Sequence, residues 1–220
     1  MSRGDGDELT TTSYAILGML AIRPWTTYEL ATQMDRSLGR LWPRARSHLF
    51  NEPKRLAALG LASASLESHG RRPRTVYAIT ARGRRALRAW LATPGAGPVL
   101  EFEQLLKVFF ADHGTKSDAL TAIRCIGEWA REQTDVHARV ARGYLAGTGP
   151  FPERLAVLSL TGRFLADFAE MVGVWADRCT RLVETWPEGI GDAEPDWQGI
   201  EEIARRGGGD GWLAARGSRG

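Results

Sequence analysis

Arginine is the residue type whose placement in these 220 residues asks for a chemical explanation. Arg71, Arg72 and Arg74 crowd into "HGRRPR", where Gly70 and Pro73 mark a turn. Guanidinium groups at a turn tip bury nothing and repel one another. Their chemistry is forked, charge-assisted hydrogen bonding to phosphate or carboxylate. A second polar set runs from 44 to 54: Arg44, Arg46, Ser47, His48, Asn51 and Lys54. On a helix, side chains of these types can meet phosphates and base edges. Only one face of a helix can do so, and the rest of the set faces water. Arg82, Arg84, Arg85 and Arg88 are assigned to solvent. Catalytic chemistry finds no comparable support. His48, His69, His113 and His137 are scattered, without HExxH spacing, GxSxG or a Gly-rich phosphate loop. The expectation is no enzyme, no metal and no cofactor.

The charge is unevenly placed. Residues 1–93 hold 15 Lys/Arg and 7 Asp/Glu, a balance of +8, and residues 94–220 hold 14 and 19, a balance of −5. A basic half joined to an acidic one fits a polyanion-binding module carried by something else. Arginine content alone proves little, since base composition of a genome can raise it. Cys125 and Cys179 form no CxxC pair and no disulfide framework, so both read as small buried apolar residues in a reducing cytoplasmic setting. The polar, acidic start is no signal peptide, and no apolar run reaches the roughly 18 residues of a membrane span, so no membrane partner is expected.

These residues need elements to position them. Residues 10–22 read as a helix that Pro24 ends. A second helix starts at Thr26, which forms a capping-box pattern with Glu29, and finishes near Gly39. A third spans 43–62, with Leu49, Leu56 and Leu59 at helical spacing and Phe50 beside them. If it begins near Ser47, Pro53 must kink it. After Gly60 the period falls from 3.6 to 2. "LASASLES" and "TVYAIT" flank the arginine turn as a hairpin. Thr80 caps a short helix through Trp90, and "TPGAGP" is a linker where the charge changes sign.

The second half shows helices only: one about Phe102–Phe109, one over 117–145, and the longest over 153–186. The last carries Leu158, Leu165, Ala169, Val172, Ala176, Cys179, Val183 and Trp186 at three- and four-residue steps, with Phe164, Phe168, Met171, Trp175 and Leu182 beside them. So wide an apolar face predicts a partner helix. Leu158, Leu165, Phe168, Val172, Trp175, Cys179 and Trp186 are its expected homodimer contacts. The expected organisation is a disordered 1–9, a DNA-binding domain over 10–93, a helical dimerisation domain over 94–187 and a Gly-rich tail over 188–220. That tail reads as mostly disordered, with a short helix through Trp197, Ile200 and Ile203.

Three helices, a basic-tipped hairpin and a further helix make the layout of a winged helix-turn-helix. The fold class is mainly α, with a two-stranded hairpin as wing and a C-terminal helical dimerisation domain. The chain also resembles the PadR-like family of transcriptional regulators. The resemblance lies in "AILGMLAIRPWTTYEL", "LGRLWPRARSHLFNEPKRLAALGLA" and "RRPRTVYAITARGRRALRAWL", above all Trp42, Phe50, Leu56, Leu59-Gly60-Leu61, Tyr77, Thr80, Gly83 and Trp90. It extends more loosely over roughly residues 10–187. Phe50 and Thr27 depart from the Tyr and Gly of many relatives, and no phosphate contact is carried over to Phe50. The resemblance implies a cytoplasmic homodimeric repressor bound to a pseudo-palindromic operator in double-stranded DNA. Some relatives release DNA on binding a small aromatic compound. For such an effector Trp129, Phe168 and Trp175 are the candidate contacts, although interface core is the stronger reading of the two tryptophans. The competing class is a winged-helix protein-interaction module without DNA binding, which has no need of wing arginines.

Overall fold

The computed structural model describes residues 8–39, 41–42, 50–69 and 72–206, with the backbone alone at 68, 69 and 72. The chain divides into two compact units, Met1–Pro98 and Val99–Gly220, at the end of the "TPGAGP" stretch.

In the first unit α1 (Thr11–Ile22) is capped by Thr10, whose side chain accepts from the Ser13 N–H, while Ser13 returns a bond to the Thr10 backbone. Ile16, Leu17, Met19 and Leu20 are all buried, so most of the circumference of α1 faces other elements. Beyond α1 comes a short strand, β1 (Trp25–Thr26), which sequence periodicity missed because two residues have no period. Thr26 then caps α2 (Thr27–Leu38) in a box with Glu29. Leu30 and Met34, four apart, are its buried residues. The third helix is shorter than expected. α3 (Glu52–Ala58) begins at Glu52 and has Pro53 in its first turn, where no intrahelical donor is needed. Pro53 therefore starts this helix and does not kink one. Leu49 and the start expected near Ser47 lie outside the described residues, and Phe50 is exposed ahead of the helix.

Gly60, at φ +69°, turns the chain from α3 into the sheet. β2 (Ala62–His69) and β3 (Arg72–Ile79) pair antiparallel from Ala62↔Ile79 to His69↔Arg72. β1 adds to the other side of β3 through Trp25↔Tyr77 and Thr26↔Val76, giving the order β1-β3-β2. The wing is thus a three-stranded sheet, where two strands were expected. The third is fixed from its side chain: Trp25 is buried, and its indole N–H donates to the Met19 carbonyl at 2.8 Å. Thr80 caps α4 (Ala81–Leu91). Gly83 permits the close seat of α4, because a Cβ there would stand 2.1 Å from the Leu61 carbonyl oxygen. Trp90 stacks on Tyr14 of α1 at 5.0 Å.

The second unit holds α5 (Glu103–Phe109), α6 (Lys116–Leu145) and α7 (Leu155–Glu184). α6 and α7 run antiparallel. Ala119, Ile123, Ile126 and Ala130 form one core with Val172, Ala176 and Val183. Small residues let the two backbones approach, with Gly127 opposite Ala176 and Gly173 opposite Ala130. Lys116 ties the start of α6 to the end of α7 by donating to the Glu184 and Trp186 carbonyls. α8 (Trp197–Arg206) follows, realising the helix expected through Trp197. Arg178 of α7 pairs with Asp196 and Glu202 beside it. Residues 207–220 lie outside the described set. No helix among the described residues is long and apolar enough to cross a membrane.

Candidate nucleic-acid interface

The candidate site is built around α2, α3 and the wing. Six of the nine sequence-predicted contact residues cannot be placed as side chains. Arg44, Arg46, Ser47, His48 and Arg71 lie outside the described residues, and Arg72 is described only by its backbone, paired with His69. Asn51, Lys54 and Arg74 are placed, and all three are exposed. Asn51 occupies the N-cap position of α3 without using its side chain as the cap. Lys54 lies in the first turn. Arg74 stands on β3 directly across from Glu67 of β2.

Two more large side chains near the starts of α2 and α3 are exposed; Tyr28 escaped the sequence reading, whereas Phe50 entered it without a contact role. Tyr28, in the first turn of α2, is 78% exposed, and Phe50, just before α3, is 64% exposed. Both are apolar-bodied rings that no core covers. The Tyr28 hydroxyl can donate to a phosphate, which the Phe50 ring cannot.

Beneath the surface lies a buried polar network that sequence reasoning also missed. Ser13 is fully buried and Glu52 is 9% exposed. The Ser13 hydroxyl donates to Glu52 Oε1 at 2.6 Å, and Arg55 Nε donates to Glu52 Oε2 at 3.1 Å. Arg55 also donates to the Glu8 carbonyl at 3.0 Å. One residue back along α1, the Thr12 hydroxyl accepts from the Trp42 indole N–H at 3.0 Å. Each end of the interval between Trp42 and Glu52 is thus hydrogen-bonded to the first turn of α1. The available signal was an acid beside a proline at a helix start, which marks an N-terminal turn without identifying its partner.

The base of the wing is polar in a different way. The Thr26 N–H and hydroxyl both donate to Glu29 Oε2, at 2.9 and 2.8 Å. These bonds hold the Glu29 carboxyl below its ordinary value, and the charges of Arg23 and Arg74 act in the same direction. Thr26 belongs to β1 while capping α2, so one residue connects the sheet to the helix.

In the second unit the structure redistributes the expected contacts. Val172 is buried within the chain, with Ala169, Ala176 and Val183. Phe168, Trp175, Cys179 and Trp186 pack against the same α6–α7 core, and burial pushes the Cys179 thiol up. Leu158 and Leu165 are half-buried. The face assigned to a second subunit is therefore covered in large part by α6, a neighbour the sequence reading had not matched to it. The large apolar side chains that α7 leaves exposed are a different set: Leu155, Val157, Leu160, Phe164, Met171 and Val174. Cys125, expected to be buried, is exposed on α6.

The aromatic trio expected around an effector is also part of this packing. Trp129 meets Phe168 edge-on at 6.2 Å and Phe102 at 5.8 Å. The open apolar groove of about 550 Å³ in this unit is lined instead by Leu100, Glu101, Phe102, Glu103, Leu105, Leu106 and Phe109. Phe102, which lines the groove, also touches Trp129. No group of three His, Cys, Asp or Glu among the described residues could hold a metal ion.

Comparison with known proteins agrees with this architecture. Bacillus subtilis PadR in complex with operator DNA superposes with a TM-score of 0.70 at 18% identity, covering 79% of this chain and 99% of that one. The same protein in complex with p-coumaric acid gives a TM-score of 0.62 at 18% identity, over 80% and 99%. At such identities the likeness establishes the fold. A probable transcriptional regulator of Mycobacterium tuberculosis, Rv1176c, is 33% identical over 82 residues, which are 37% of this chain and 43% of that protein. The chain thus spans less than half the length of that relative. The family model for the transcriptional regulator PadR-like family matches residues 16–89, from the middle of α1 to α4. Over its winged-helix part the chain is thus similar to members of that family.

Proposed function

We propose that the protein is a sequence-specific DNA-binding repressor that acts as a homodimer on a pseudo-palindromic operator. The observation that carries this reading is the exposed polar surface of the first unit. Asn51 and Lys54 at the front of α3 and Arg74 on the wing all face solvent, in a half of the chain with a charge balance of +8. A helix front can read base edges while a wing arginine engages neighbouring phosphates. A winged-helix module that bound only protein would not need that charge.

The dimer part of the reading rests on α7. Leu160 is 71% exposed and Phe164 is 61% exposed, with Val157, Met171 and Val174 on the same helix. Large apolar side chains gathered on one helix favour a second copy meeting them in a self-complementary contact. A small aromatic effector would enter the groove on α5, whose volume suits a small molecule and whose wall includes Phe102. Because Phe102 contacts Trp129, tryptophan fluorescence would report occupancy.

The test is a gel shift of the purified protein on the DNA immediately upstream of its own coding sequence. A discrete complex that excess shuffled DNA does not displace is expected. Equal competition by shuffled DNA contradicts sequence-specific binding, and an absent complex favours the protein-interaction module.

A further inference from the structure

We propose that Ser13, in the first turn of α1, clamps α3 in place through Glu52, with both as positioning residues for DNA recognition. The inference rests on the DNA-binding reading above and adds the residues that make that reading selective. α3 has seven residues and anchors itself in the core chiefly through Pro53 and Leu56. So short a helix has little intrinsic stability. Two apolar anchors resist withdrawal from the core but restrain rotation and sliding weakly, because apolar contact is non-directional. Hydrogen bonds are directional, and here they supply the missing restraint.

The geometry is specific. Ser13 stands at the third position of α1, held there by its capping box with Thr10. Ser13 has no exposure, and its hydroxyl reaches Glu52 Oε1 at 2.6 Å, a short charge-assisted bond. The second carboxylate oxygen is held by Arg55, one turn further along α3. The carboxylate therefore has a fixed partner on each side, one on α1 and one on its own helix. Thr12, the neighbour of Ser13, holds Trp42. A rotation of α3 about its axis would break the Ser13 bond and leave a buried acceptor unsatisfied. Such a rotation would also swing Asn51 and Lys54, which flank Glu52 on the exposed side. Base-edge contacts tolerate little misplacement, whereas phosphate contacts by long side chains tolerate more.

This asymmetry makes positioning distinguishable from simple stabilisation. The experiment measures full-length Ser13→Ala, Glu52→Ala, Glu52→Gln and Thr12→Val by fluorescence anisotropy on the gene's own upstream fragment and on a shuffled fragment of equal composition. It covers a series of salt concentrations, at a temperature where near-UV circular dichroism shows each variant folded. Ser13→Ala and Glu52→Ala are expected to lower the upstream-to-shuffled affinity ratio by about tenfold, the size of one base-edge interaction, with the salt slope unchanged. Glu52→Gln, which keeps an acceptor for the Ser13 hydroxyl, is expected to recover most of the ratio. Ser13→Ala carries the test should Glu52→Ala fail to fold, and Thr12→Val, which breaks the Trp42 bond and leaves Ser13–Glu52 intact, is expected to keep the ratio. If folded variants all keep the wild-type ratio, the clamp is only a stabilising contact and the inference is overturned. A wild-type protein that itself shows no preference overturns the DNA-reading proposal, and the clamp with it.

Discussion

At the scale of single residues the N-cap of α2 gives a direct prediction. Thr26 satisfies an orphan N–H of the helix, and Glu29 satisfies the Thr26 N–H in return. Replacing Thr26 by Ala is expected to cost about 1 kcal/mol, read from urea denaturation. Thr26→Ser should cost much less. Glu29 adds a pH dependence with a definite sign. Its folded value is depressed below the ordinary 4.5, so the unfolded chain takes up its proton first as pH falls. The stabilisation is present above pH 4.5 and is lost as pH falls through the lower folded value. Glu29→Gln should flatten the stability profile in that acidic window and leave its neutral shape alone. Unchanged acid sensitivity would place the titrating group elsewhere. On the wing, Arg74→Ala should weaken binding to operator and shuffled DNA by similar factors. It should also reduce the slope of log K against log salt by about one for each phosphate that is no longer engaged. The capping box was legible because its residues are three apart and local chemistry suffices. The Ser13–Glu52 bond was not, because it spans 39 positions and neither residue follows a local pattern that names the other.

At the scale of elements the sharpest test concerns the two faces of α7. Val172 is buried against α6, so Val172→Glu should introduce an unpaired charge into the subunit core and unfold it. Phe164 is exposed on the other side, so Phe164→Glu should leave the subunit folded and shift sedimentation from dimer to monomer. A Phe164→Glu protein that remains a dimer moves the interface off this face. The heptad-like spacing showed that α7 has a wide apolar surface, and the surface is there. Periodicity reports how much of a helix is apolar but not which neighbour covers it, and the 30-residue α6 is long enough to take one side. β1 was hidden for a related reason. Trp25 and Thr26 become a strand through pairing with Tyr77 and Val76, far along the chain. α3 was misjudged in length because Leu56 and Leu59 keep helical spacing past its last residue, while Pro53 marks its first turn.

At the scale of the whole molecule the charge split and the division into units are separate facts that point to one arrangement of tasks. The basic half is a winged-helix unit and the acidic half is an all-helical unit, with the boundary at the end of a Pro/Gly-rich stretch. That much is legible from composition, since net charge and turn residues need no knowledge of contacts. On the proposed reading, which side chains meet nucleic acid follows from how the Ser13–Glu52 pair seats α3. In the proposed complex, two copies of the winged-helix unit read two half-sites together. Hydroxyl-radical footprinting of the full-length protein on its own upstream DNA tests this most directly. Two protected tracts are expected, with their centres about 10 base pairs apart or a multiple of that, one for each subunit. A single protected tract at saturation, or uniform protection without boundaries, would contradict this reading.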